Sequence, residues 1–333
     1  MTISSQTNAT LRDIAEAIEA RDDFVLCGHV SPDGDCLGSQ LALWHALRAL
    51  GKRATCLLAK DDPTPASVSF LPGIDAMIPA LNFDGAAQTF IGLDVPTRER
   101  IGEAACAILD LCSFSITVDH HAVPERMCDL AYVDPDSAST SILVWEIVKM
   151  LCDRPPAEAA LCTYTGLVTD TGGFRYQNSD SVAFSAAAEL VGLGVDPAYV
   201  SSQVFQCRSL ASLKLEALVI DRMAFNNEGT WALSWLSESD MNRFDARKDD
   251  AEDLIDVLRS IKGVRVACIL RDQDETIRGS LRAKDDTDVA TLARKLGGGG
   301  HRAAAGFTLE CDLPKAISLL ESELDALVGE TSE

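Results

Sequence analysis

Apolar positions recur at helical spacing over residues 11–22, where Leu11, Ile14, Ala15 and Ile18 share one face; the first predicted element is an amphipathic helix. An unbroken apolar run at 24–28 reads as a buried strand. A polar, glycine-containing loop over 29–35 follows, then a helix over about 38–50 stopped by Gly51. Residues 54–58 form the next strand, so strand, loop, helix and strand succeed one another as in a βαβ unit of a parallel sheet. Apolar runs at 90–93 and 115–118 add strands that end at Asp94 and Asp119. Residues 140–151 and 157–169 read as helices, the second running into Asp170. Three strands and one helix thus end on acidic residues or histidines. Open parallel sheets bind ligands at the carboxyl ends of their strands, near the point where strand order reverses.

The alternation lapses after residue 195, and the polar helical stretch 196–215 reads as a linker helix. Beyond it, strand-like runs at 231–236, 264–270 and 276–281 precede a helix at 288–296, a glycine-rich loop ending in His301 and a last helix near 313–328. The expected fold is α/β: an N-terminal parallel-sheet α/β/α domain over 1–195, and a smaller C-terminal α/β domain with a mixed sheet over 216–333. A chain of 333 residues accommodates two such domains.

Charge narrows the function classes. The chain has 29 basic and 51 acidic residues, a net charge of −22, which argues against a protein that coats long nucleic acid or binds anionic membranes. A local exception lies at 262–302, where nine basic residues face six acidic ones. The 11 cysteines contain no C-x-x-C pair and sit in apolar segments, as expected in a reducing compartment. The N-terminus lacks the layout of a signal peptide, and no uncharged run approaches the roughly 18 residues of a membrane helix. A cytoplasmic protein is expected.

Four polar clusters carry candidate chemistry. His29, Asp33 and Asp35 share one short segment, and two carboxylates two residues apart in extended backbone can project toward different cations. An Asx-rich turn punctuated by Pro32 and Gly34 is the plainer reading of the same string. Asp94 stands alone after its strand. Asp119-His120-His121 closes the next, where alternating side-chain directions let one imidazole face a metal and the other a substrate. Asp170-Thr171-Gly172 is the fourth. Of the five histidines only His45 lies outside these loops and the glycine run, mid-helix beside Trp44.

Taken in order, "HVSPDGDCLGS", Asp94 in "GLDVPTRER", "VDHH" and "TDTGGF" resemble the four motifs of DHH-family phosphoesterases, and "GGGGHRAAAGF" resembles the signature of the DHH-associated domain. Size and layout are most similar to the nanoRNase/pAp-phosphatase branch. The resemblance implies two divalent cations, Mn²⁺ or else Mg²⁺ or Co²⁺, in a cleft between the domains. His29, Asp33 and Asp94 would hold the first ion. Asp35, Asp94, His120 and Asp170 would hold the second, with Asp94 bridging. Asp119 would orient a neighbour and His121 would face the phosphate as donor or acid. Arg265, Arg282, Gly299, Gly300 and His301 are the expected substrate contacts, because glycine backbone admits anions closely and arginine binds phosphate as a planar fork.

Hydrolysis of oligonucleotides of about two to five nucleotides, including pApA or pGpG, and dephosphorylation of adenosine 3′,5′-bisphosphate (pAp) are the implied activities. A cyclic di-AMP phosphodiesterase and a non-catalytic nucleotide sensor are the alternatives. Long duplexes and membranes are not expected partners; a homodimer is. Two departures from the family pattern stand out, and neither removes an expected ligand: Cys36 replaces the Ala of many relatives, and Pro124 replaces Asn.

Overall fold

In the computed structural model, which describes residues 5–61, 63–121, 126–251, 254–273 and 276–330, the alternating pattern becomes two α/β units, Met1–Cys207 and Arg208–Glu333. The first contains α1 (Leu11–Glu19), β1 (Phe24–Cys27), α2 (Gly34–Ala49), β2 (Ala54–Leu58), β3 (Ile78–Pro79), β4 (Thr89–Leu93), α3 (Arg98–Leu111) and β5 (Phe114–Asp119). It continues with β6 (Leu130–Val133), α4 (Thr140–Leu151), α5 (Ala157–Asp170), α6 (Ser181–Gly192) and α7 (Pro197–Phe205). Its sheet has the order β3-β2-β1-β4-β5-β6, and every pairing is parallel. The chain winds outward from β1 to β3, then returns to β4 on the other side, so strand order reverses between β1 and β4.

Period-two alternation makes this sheet the middle of three layers. Phe24 and Leu26 of β1 enter a core with α1, α2, α4 and α5, while Val25 and Cys27 enter one with Ile101, Ala105 and Leu109 of α3. At Gly38, α2 and α5 pack almost backbone to backbone: a Cβ added there would lie 2.6 Å from the Cys162 carbonyl oxygen. Gly38→Ala is therefore expected to cost about 1–3 kcal/mol, as other overpacked core positions do, read as a lower denaturant midpoint. Gly192, at the end of α6, has open space around it, and Gly192→Ala should leave stability unchanged or raise it by up to about 1 kcal/mol. Equal losses at both positions would contradict the close helix crossing.

The second unit contains α8 (Leu210–Asp221), β7 (Ala224–Phe225), β8 (Trp231–Leu236), α9 (Glu238–Arg243), α10 (Ile255–Arg259) and β9 (Val266–Gln273). It ends with β10 (Thr276–Ala283), α11 (Val289–Lys295), β11 (Gly299–His301), β12 (Ala304–Leu309) and α12 (Leu313–Glu330). Its sheet, ordered β11-β12-β10-β9-β8-β7, is mixed, with a parallel β8–β9 pair among antiparallel ones. One face packs Ile277 and Leu281 with α11 and α12; the other packs Ala267 and Ile269 with α8 and α10.

Several elements depart from the pattern reading, among them the following. The last two residues of the expected loop 29–35 are already helix, because Asp33 caps α2 by accepting the backbone N–H groups of Asp35 and Cys36, each at 3.0 Å. The expected linker helix 196–215 is two helices: Gln206 leaves helical geometry, and Ser209 starts α8 by accepting the N–H of Ser212 at 2.9 Å. The glycine-rich loop includes the edge strand β11, paired with β12. Helix α3 has no counterpart in the reading, its period being broken where Gly102 adopts a φ of 76°. No helix among the described residues is long and apolar enough to cross a membrane.

Candidate functional site

The polar clusters of the first unit converge where strand order reverses. His29 follows β1 and is buried; its Nδ1 lies 2.9 Å from the Val30 carbonyl oxygen, which can only accept. In the neutral ring Nδ1 therefore carries the hydrogen, and Nε2 presents its lone pair to Asp94 Oδ2 at 3.4 Å and Asp33 Oδ1 at 3.9 Å. The loop is held from outside: Val30 N–H donates to the Arg100 carbonyl at 2.7 Å.

Asp94 is the centre of the site. It is 1% exposed and sits in the left-handed region at a φ of 56°, a conformation aspartate tolerates better than most residues. Its backbone N–H still bonds to the Val118 carbonyl at 3.1 Å, keeping the residue registered with β5. Oδ2 faces His29. Oδ1 accepts the Thr140 hydroxyl at 2.9 Å and faces His120 Nε2 at 3.6 Å and His121 Nδ1 at 3.5 Å. One carboxylate thus reaches both halves of the cluster.

Asp35, in the first turn of α2, is fully enclosed at 1% exposure. The first N–H groups of α4 clamp it: Thr140 donates to Oδ2 at 2.7 Å and Ser141 to Oδ1 at 2.9 Å. A helix N-terminus supplies just such donors, and its partial positive charge favours a carboxylate. At the end of α5, Asp170 Oδ2 lies 3.8 Å from His120 Nδ1 and takes a 3.4 Å hydrogen bond from the Asn178 amide. His120 Nδ1 also faces the Ser137 carbonyl at 3.2 Å, which again leaves Nε2 with the outward lone pair in the neutral ring.

The DHH run is bent, and this corrects the expectation of opposite side-chain directions. Asp119 Oδ1 accepts the backbone N–H groups of His120 at 2.8 Å and His121 at 3.1 Å, and lies 2.8 Å from His121 Nδ1. These bonds fold the backbone out of the extended state. The two imidazoles consequently lie side by side, 4.5 Å between centroids at 79°.

Titration behaviour reports the crowding of negative charge. Burial, then the neighbouring Asp94 carboxylate, pushes Asp35 up to about 7. Asp170 is raised well above the usual carboxylate range, first by burial. Burial opposes the charge on both histidines, yet the surrounding acids win: His29 rises to about 9, its largest upward push being the hydrogen bond to Asp94, and His120 to about 10 through Asp170, Asp94 and Asp35. A buried cluster that retains protons this strongly is one that divalent cations would neutralise. The donor set fits them as well. His29, Cys36 and Asp94; Asp94, His120 and His121; and Asp35, His120 and Asp170 each bring three donor atoms within 4.8 Å of one another.

Sequence reasoning missed four contributors: Cys36 as a neighbour of the donors, Thr140, Ser141 and Asn178. The helix at 140–151 was legible, but nothing local shows that its first turn grips an aspartate more than 100 residues earlier. In the second unit, Arg282 shares a face of β10 with Arg278 and Ser280, the side on which its register partner Ala267 packs with α8 and α10. Arg265 stands just before β9 rather than on it. Its guanidinium is engaged by Asp285 at 2.5 Å, Thr287 at 3.3 Å and the Val328 carbonyl at 3.4 Å. Gly299 and Gly300 pair with Gly306 and Ala305 of β12. Pro124 and the His301 side chain lie outside the described residues.

Known proteins are similar to this chain in sequence and fold. The model of the DHH family N-terminal domain matches residues 23–167, and that of the DHHA1 domain matches residues 230–327. The bifunctional oligoribonuclease and PAP phosphatase of Thermus thermophilus is 32% identical over 308 residues, covering 92% of this chain and 90% of that protein. Its Bacillus subtilis namesake is 27% identical over 300 residues, covering 89% and 92%. The crystal structure of an exopolyphosphatase-related protein from Bacteroides fragilis aligns at a TM-score of 0.91 and 28% identity, over 100% of this chain and 99% of that one. The chain belongs to the DHH family, with a DHH N-terminal domain followed by a DHHA1 domain.

Proposed function

We propose that this chain is a two-metal phosphoesterase that hydrolyses short oligonucleotides to mononucleotides and removes the 3′-phosphate of pAp. The observation that carries the reading is Asp94, whose two oxygens face donors on both sides of the cluster. His29, Asp33 and Asp94 would hold one ion; Asp35, Asp94, His120 and Asp170 would hold the other. Oxygen-rich donors with some imidazole suit Mn²⁺, with Mg²⁺ or Co²⁺ as substitutes. Such a pair supplies Lewis-acid stabilisation of the phosphoryl oxygens and lowers the pKa of water. The names of the Thermus and Bacillus relatives support the substrate class.

The remaining roles belong to the same proposal. Asp119 fixes His121 through Nδ1, so Nε2 of that ring is the atom placed to donate a proton to a phosphate oxygen. Thr140 and the N-terminus of α4 hold Asp94 and Asp35 in place, which limits their reorganisation during turnover. In the second unit, Arg282 binds the part of the substrate that is not cleaved. β11, an edge strand, keeps one side of its backbone at Gly299 and Gly300 for an anion. Arg265 is a weaker contact, because its guanidinium already serves Asp285. The net charge of −22 fits short substrates in a cytoplasmic setting better than long duplexes.

Chelation tests the chemistry and Arg282 tests the binding. Mononucleotide release from pApA should vanish on removal of divalent cations and return with Mn²⁺; persistence in metal-free protein would overturn the proposal. Arg282→Ala should raise KM by about tenfold, ~1.4 kcal/mol, while kcat falls less, since the arginine grips ground and transition states alike. An unchanged KM would remove Arg282 from the substrate site.

A further inference from the structure

The group of donors around His29 and Asp94 includes a thiol. Cys36, on the first turn of α2, is completely buried, and its sulfur shares the 4.8 Å neighbourhood of the His29 nitrogen and an Asp94 oxygen. The fold makes room for it: a Cβ at position 28 would run into the sulfur, so Gly28 leaves the space that Sγ fills beneath the end of β1. Alanine at this position would leave the His29 and Asp94 donors untouched and remove only the sulfur.

We infer that Cys36 is a specificity-determining residue, a sulfur donor that biases the first metal site toward borderline-soft ions such as Co²⁺ and Cd²⁺ over Mn²⁺. The inference rests on the metal centre proposed above. When such an ion binds, a sulfur–metal bond forms and the thiol proton leaves to water. Hard, oxygen-seeking Mn²⁺ gains little from the same sulfur. The second site, built from Asp35, Asp94, His120 and Asp170, has no sulfur in its donor group, so the two positions differ in softness although they share a bridge.

The test is absorption of the Co²⁺-loaded full chain, alongside Cd²⁺ and Mn²⁺ affinities by titration calorimetry. Wild-type protein should show a near-ultraviolet thiolate-to-cobalt charge-transfer band. That band should be absent in Cys36→Ala and in Cys36→Ser, the second variant preserving side-chain volume should the alanine variant fold poorly. Cd²⁺ affinity should fall on the order of tenfold or more in both variants, with Mn²⁺ affinity unchanged. Co²⁺ bound with visible ligand-field bands but no charge-transfer band, or with a band that survives both substitutions, would overturn the role of Cys36 and leave the metal centre standing. No Co²⁺ bound at all would overturn both.

Discussion

Asp94→Ala is expected to abolish turnover, with a loss of at least about 10³-fold in kcat, ~4 kcal/mol of barrier, and a fall in bound Mn²⁺. The size follows from its position. Asp94 faces His29 through one oxygen and the His120–His121 side through the other, and it accepts the Thr140 hydroxyl. Removing it leaves each proposed ion one carboxylate short and unlinks the two. Alanine is also strained by roughly 1–2 kcal/mol at the left-handed φ of this position, so Asp94→Asn is the companion variant that keeps the backbone. Retention of more than about a tenth of the wild-type rate at saturating Mn²⁺ would show that Asp94 does not bridge, since a lost bridge removes far more.

His120→Ala should lower kcat/KM by at least about 100-fold, ~2.7 kcal/mol, whereas His45→Ala should change it less than about twofold. His120 sits between Asp94 and Asp170, oriented by the Ser137 carbonyl. Its loss leaves the Asp35, Asp94 and Asp170 carboxylates with less compensating charge. His45 instead bonds the Pro72 carbonyl through Nε2 at 2.8 Å and meets Trp44 edge-on, a packing role whose removal costs about 1 kcal/mol of stability. Equal kinetic losses in the two variants would mean that residue type, rather than position in the cluster, governs activity.

Much of this was legible in the chain because it is local. Strands β1, β2, β4 and β5 announce themselves as short apolar runs, and three of the four polar clusters fall directly after β1, β4 and β5, where a parallel sheet gathers strand ends, while the fourth closes α5. What escaped depends on tertiary contact. Asp33 turned a loop into the start of α2 through its own capping bonds. Asp119 folded the histidine pair onto one side. Helix α3 hid behind a glycine that breaks its period. The grip of α4 on Asp35 joins residues 105 and 106 positions apart, which no spacing rule reaches. The sulfur of Cys36 reads as one more buried apolar thiol until its neighbours are known.

The central claim is most directly tested by kcat/KM across a substrate series in Mn²⁺: pApA, pGpG, pAp, cyclic di-AMP and a single-stranded RNA of about 24 nucleotides. The account predicts that the linear dinucleotides and pAp are turned over at least about 100-fold more efficiently than the long RNA or the cyclic dinucleotide. Cleavage of the long RNA, or of cyclic di-AMP, at the rate of pApA would contradict it.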